Sequence, residues 1–197
     1  LGDSYTIGEG VAAEERWPEQ LVQLLRAEGI GLAAPGIVAR TGWTAGELIA
    51  GITQAHPNGV FDLVSLLIGV NNQYRGLPPA EFESELLILL RHAVALAGGC
   101  TGRVLVASIP DWSVTPFAVG RDRARIAEQI DAFNRIKRAA TVAAGARFVN
   151  ITPISRVAGA EPEMLARDGL HPSGAMYSAW AHHMLPAARA AMLGHDN

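Results

Sequence analysis

The chain has 197 residues, 49% of them hydrophobic and 18% charged, and a net charge of −3 from 16 basic and 19 acidic side chains. That is enough for one domain with a substantial core, and too apolar for a disordered chain. No Lys/Arg block supplies the stripe that a nucleic-acid backbone needs, so nucleic acid is not an expected partner. Cys100 is the only cysteine, which rules out an intrachain disulfide and a Cys-rich zinc site. The longest apolar run, Leu86 to Leu90, lies between Glu85 and Arg91; it is too short to cross a bilayer and reads as a buried helix face.

In chain order, the first segment is Leu1-Gly2-Asp3-Ser4-Tyr5-Thr6, turn chemistry with no strand ahead of it. If Leu1 ends a strand, the Ser4 hydroxyl sits at the carboxyl end of a sheet, where ligands collect in open α/β folds. The same residues would equally suit a serine capping a short helix. Gly8-Glu9-Gly10-Val11-Ala12-Ala13 loosely fits a dinucleotide fingerprint. That fingerprint needs a hydrophobic strand directly before it, and Asp3-Ser4-Tyr5-Thr6 is not one.

Trp17, Leu21, Leu24 and Leu25 mark a first helix, and Gly31–Ala39 a β-type run. Thr41-Gly42-Trp43-Thr44 follows; a glycine there lets a main-chain N–H approach a ligand, or simply turns the chain. Leu48 and Ile52 mark a short helix, and Phe61–Gly69 the most hydrophobic strand. Asn71, just beyond it, is suited to donate from its side-chain amide, although Asn also favours turns. Phe82, Leu86, Leu89, Leu90, Ala93 and Leu96 repeat at helical spacing between Pro78-Pro79 and Gly98-Gly99. A strand at Arg103–Ile109 follows, then a helix marked by Ile126, Ile130, Phe133, Ile136 and Ala140, and a strand at Ala146–Ile151. Met176, Trp180, Met184 and Ala187 mark the closing helix.

Strands alternating with helices predict a single α/β domain over residues 1–197, a three-layer α/β/α sandwich around a parallel sheet of about five strands. A nucleophile turn must be fed by a strand, so one is expected upstream of Leu1, lying between the strands near 31–39 and 61–69 in the order 2-1-3-4-5. Before the closing helix stands Asp168-Gly169-Leu170-His171-Pro172. A carboxylate three residues ahead of a histidine in a turn can hold its Nδ1–H, leaving Nε2 to take a proton. An exposed histidine beside an ordinary Asp turn would look the same.

Each of these elements is weak alone. Together and in this order they resemble the SGNH (GDSL-type) hydrolases, a family of serine esterases and lipases. Gly2-Asp3-Ser4 resembles its first block, Gly42 its second-block glycine, Gly69-Val70-Asn71-Asn72 its Gly-x-Asn-Asp block, and Asp168–His171 its final Asp-x-x-His. Asn72 departs from the pattern, which has Asp there. The resemblance implies Ser4 as nucleophile, His171 as acid and base, and Asp168 orienting it. It also implies an oxyanion hole of the Ser4 and Gly42 N–H groups and the Asn71 amide. Neither metal nor cofactor is implied; His182 and His183 are adjacent on a helix and splay apart. The expected partner is a small-molecule ester. The family takes short acyl esters, sugar O-acetyl groups, lysophospholipids and acyl thioesters. The absence of a lid-sized apolar insertion favours small acyl groups. Asn72, Tyr74, Arg75, Trp112 and Phe117 are candidate substrate contacts, with Arg75 placed for an anionic group; ordinary loop packing accounts for them as well. A non-catalytic carbohydrate-binding module on the same fold would lack a reason to keep nucleophile, histidine and amide together. A conventional α/β-hydrolase would need a Gly-x-Ser-x-Gly elbow, which the chain lacks.

Overall fold

Apolar periodicity decides where helices form and which face each one buries. The structure is a computed structural model, and it describes residues 1–159 and 161–194. Helix α1 spans Ser4–Ile7, α2 Trp17–Ala27, α3 Ala45–Ala55, α4 Val70–Tyr74, α5 Pro79–Leu96, α6 Arg123–Ala143, α7 Thr152–Ala158 and α8 Gly174–Leu193. Strands β1 (Val64–Leu66), β2 (Val104–Ala107) and β3 (Arg147–Val149) form one parallel sheet in the order β1-β2-β3. Val64 pairs with Val104, and Val106 with Phe148. The central strand β2 is buried along its whole length, as a strand covered on both faces must be.

Helices α2 and α8 pack together, and Trp17, Leu21 and Leu25 of the first and Trp180, Ala181 and Met184 of the second are all buried. Helices α3, α5 and α6 pack in sequence, and the Phe82 and Phe133 rings stand 4.9 Å apart. The start of α3 carries a capping box, with Thr44 accepting from the Glu47 N–H and Glu47 from the Thr44 N–H. Asp122 and Ser173 cap α6 and α8 in the simpler way.

The helices lie where the periodicity puts them, and the sheet corrects the expectation. The described residues contain three named strands rather than about five, and residues 31–38 are irregular. A ladder needs consecutive partners on its neighbour. Among the described residues this segment pairs only through Gly2, which makes isolated parallel bridges to Ala39 on one side and Leu67 on the other. Its N–H donates to Val38 O, the Leu67 N–H donates to Leu1 O, and the Leu1 amino group donates to Ser65 O. Across the sheet the order is therefore Ala39, Gly2, β1, β2, β3, all parallel. Below Leu1 an apolar groove of about 520 Å³ separates residues 32–38 from residues 60–65, with Trp17, Leu21 and Leu96 in its walls.

Gly2 has no room for a side chain, since a Cβ there would meet Thr6 Oγ1 and, at 2.5 Å, Leu67 O. Gly2→Ala is therefore expected to lower stability by about 1–3 kcal/mol. The check is a shift in denaturation midpoint, and an unchanged midpoint would show that the turn is not pinned here.

Candidate active site

Everything with chemistry gathers where the parallel strands end. Asp3 caps α1, its Oδ1 accepting from the Tyr5 N–H at 3.0 Å. The cap places Ser4 on the first turn, with an N–H that has no partner inside the helix. Ser4 is only 5% exposed, and its Oγ lies 3.0 Å from His171 Nε2.

His171 is held from behind. Its Nδ1 is 2.6 Å from Asp168 Oδ2, while Asp168 Oδ1 accepts from the Leu170 and His171 main-chain N–H groups, both at 2.9 Å. Gly169, at φ +66, lets the loop double back within three residues. Partial burial pushes the Asp168 carboxyl up, but the hydrogen bonds from the His171 ring and from the two N–H groups outweigh it, so the group sits below the usual carboxylate range. An ionised Asp168 keeps the proton on Nδ1 and leaves the Nε2 lone pair facing the Ser4 hydroxyl. The Tyr5 ring packs against the imidazole, with centroids 5.5 Å apart.

Two loops face this pair. Gly42, at φ +83, takes a left-handed turn that a side chain would strain, and only Arg75 Nη2 lies within 4 Å of where its Cβ would stand. Gly69, at φ +117, turns the chain from β1 into α4, and a Cβ there would meet the Phe82 ring at 2.7 Å. Asn71 follows on α4, its Nδ2 donating to Trp43 O at 2.9 Å. An amide nitrogen carries two hydrogens, so one fixes the side chain and the other is left for a ligand.

The candidate substrate contacts separate into two groups. Asn72 is fully buried; its Oδ1 accepts from the Ala45 N–H at 2.9 Å and its Nδ2 donates to Glu85 at 3.1 Å. That leaves it no surface for a substrate, and its work is to lock α4 to α3. Arg75 bonds Glu47 at 3.2 Å and Gly42 O at 2.5 Å, and so braces the glycine turn. The aromatic residues do come together. Tyr74 and Phe117 are partly exposed, and Trp112 lies beneath them, its centroid 5.6 Å from Tyr74 and 5.9 Å from Phe117. The Phe117 N–H donates to Gly169 O, which sets this wall beside the Asp168–His171 loop.

Sequence reasoning missed Arg121, whose guanidinium lies 5.1–5.5 Å from all three ring centroids. It also missed Lys137, which is fully buried in α6. The Gly8–Gly10 segment ends α1 through a left-handed Gly8 and follows no strand, unlike a dinucleotide loop. Among the described residues, no three His, Cys, Asp or Glu side chains gather as a metal site would require, and no helix is long and apolar enough to cross a membrane.

A hydroxyl, an imidazole and a carboxylate in hydrogen-bonded series at the carboxyl ends of a parallel sheet are the arrangement of a serine hydrolase. Comparison agrees with the geometry: residues 1–179 match the model of the GDSL-like Lipase/Acylhydrolase family, and the chain belongs to it. It is thus a GDSL-type esterase/acylhydrolase, a carboxylic ester hydrolase. No curated protein matches the chain in sequence. Among solved structures it is similar to TesA, at 22% identity over 96% of each chain with a TM-score of 0.74. It is also similar to the psychrotrophic esterase EstA from Pseudoalteromonas sp., at 18% identity over 99% of this chain and 97% of that one, TM-score 0.71. An acetylxylan esterase from Geobacillus stearothermophilus matches at 20% identity over 95% and 91%, TM-score 0.70.

Proposed function

We propose that the protein hydrolyses small carboxylic esters, of short acyl chain or O-acetyl type, through an acyl-enzyme on Ser4. The observation that carries this is the unbroken series Ser4 Oγ, His171, Asp168, with separations of 3.0 and 2.6 Å. Ser4 Oγ attacks the ester carbonyl as its proton passes to His171 Nε2. The resulting oxyanion lies against the Ser4 and Gly42 N–H groups and the Asn71 amide. Collapse breaks the bond to the alcohol, which leaves with the proton from Nε2. Water, deprotonated by the same nitrogen, then attacks the acyl-enzyme, and its collapse returns Ser4 and releases the acid.

Preference for a small acyl group is supported by the aromatic wall of Tyr74, Trp112 and Phe117. Arg121 is stacked on all three rings and buttresses the wall into a fixed, short boundary. A nitrophenyl ester series of rising acyl length, run beside acetylated sugars, is expected to show kcat/KM greatest at two to four carbons, an order-of-magnitude expectation for a bounded pocket. An optimum at eight carbons or more would replace this substrate class with a lipid-like one.

A further inference from the structure

The mechanism leaves one pair of charged groups unused, and both are fully buried. Lys137 lies in the middle of α6, and Asp3 precedes the nucleophile. Taking a carboxylate and an ammonium out of water is costly unless each finds a partner. The ammonium donates to Ile68 O at 2.8 Å, the last carbonyl before Gly69 and the turn into α4. The carboxyl uses Oδ1 to cap α1, and Oδ2 is buried with no hydrogen-bond partner. Burial raises the Asp3 carboxyl to about 7, against the lowering effect of the Tyr5 N–H bond and then of the Lys137 charge. The reciprocal holds, since burial lowers Lys137 to about 7 while Asp3 raises it.

The two ends of this pair belong to the two halves of the site. Asp3 sets the turn that carries Ser4. The Ile68 carbonyl sets the peptide from which Gly69 swings Asn71 toward the oxyanion. They lie 65 residues apart in sequence; the Lys137 ammonium bonds the second through Ile68 O, and its charge acts on the first without a hydrogen bond or ion pair to Asp3. Charge matters here as well as reach. A carboxylate one residue from the nucleophile opposes the negative charge that develops in the tetrahedral intermediate, and a buried cation beside it offsets that opposition.

We propose that Lys137 is a positioning residue for ester hydrolysis, holding the Ile68 carbonyl at the turn into α4 while its buried charge balances the buried Asp3 carboxyl next to the nucleophile, so that nucleophile and oxyanion donor keep their register. This rests on the serine-hydrolase reading above.

The test uses Lys137→Met, Asp3→Asn and the double variant in the full chain, with kcat, KM and melting temperature measured for each. Lys137→Met is expected to lower kcat about tenfold, as a small misplacement of reacting groups does, with KM within about twofold. Its melting temperature should be unchanged or higher, because an apolar side chain of similar volume often replaces a buried charge without loss. Asparagine can still cap α1 without needing a cation, so the double variant should recover most of the lost kcat. A lysine that only filled space would give variants whose activity follows the folded fraction, with no recovery in the double. Wild-type kcat in Lys137→Met, or a double variant no faster than either single, overturns the proposal. If Lys137→Met does not fold, the double variant is compared with Asp3→Asn alone, and a faster double is the supporting result. Ser4→Ala run alongside separates the two readings. An active Ser4→Ala removes the serine mechanism itself, whereas an inactive one beside a fully active Lys137→Met removes only the role of the lysine.

Discussion

Ser4→Ala is expected to abolish ester hydrolysis, lowering kcat by about 10⁴-fold or more, because members of a catalytic triad act as a unit. The fold should survive. The substitution removes one hydroxyl from a side chain that does not cap its helix; Asp3 does that. Melting temperature should therefore stay within about 2 °C of the parent, the range of a surface-like change. An organophosphonate ester should label a single site in the peptide carrying Ser4. Other serines offer poor alternatives: the buried Ser108 Oγ accepts from the Ile151 and Thr152 N–H groups, and Ser173 Oγ caps α8 while donating to Glu163 O. Neither hydroxyl is hydrogen-bonded to a histidine. Labelling at Ser65, Ser108 or Ser173 would remove Ser4 from its assigned role.

Asn71→Ala and Asn72→Ala should fail in different ways, although the residues are adjacent and identical. Asn71 is partly exposed and retains an amide hydrogen beyond its bond to Trp43 O. Its loss should lower kcat by about 3 kcal/mol of transition-state stabilisation with little change in KM, as removal of an oxyanion donor does. Asn72 is enclosed, bonded to Ala45 and Glu85. Its loss strands a buried N–H and a carboxylate, so stability should fall by about 1–3 kcal/mol. Activity per folded molecule should then follow the stability loss rather than lead it. Steady-state kinetics and denaturation on the two variants decide between them. A kinetic defect confined to Asn72→Ala would move the oxyanion donor one residue along the chain.

What the sequence disclosed, and what it hid, follows from the range of each interaction. Asp168 and His171 are three residues apart in one turn, so their contact is nearly implied by their spacing. Helix faces such as Phe82 to Leu96 were equally readable, because their period is local. The segment 31–39 has strand-like composition, yet composition cannot supply a partner, and among the described residues it makes only the isolated bridge from Ala39 to Gly2. Asn72 stood in a family block and looked like a candidate for substrate; only its partners 27 and 13 residues away show that it braces two helices. The partners of Arg75 were hidden for the same reason, since Glu47 and Gly42 are distant in sequence. Lys137 sat unmarked in an otherwise ordinary helix, and nothing near it in sequence points to Ile68 or Asp3.

The joints between α3 and α4 have a consequence for motion. Asn71 holds Trp43 O, Asn72 holds the Ala45 N–H, and Arg75 holds Gly42 O. The glycine turn and the asparagine loop are therefore sewn into one piece, so two of the three proposed oxyanion donors cannot drift relative to each other. The third, the Ser4 N–H, belongs to a separate turn. Opening of the hole is thereby reduced to one coordinate, the gap between that turn and the sewn loops, rather than three independent fluctuations. On the proposed mechanism, charge arriving on the substrate oxygen would meet donors already in place, with little of the reorganisation that water would demand at that moment.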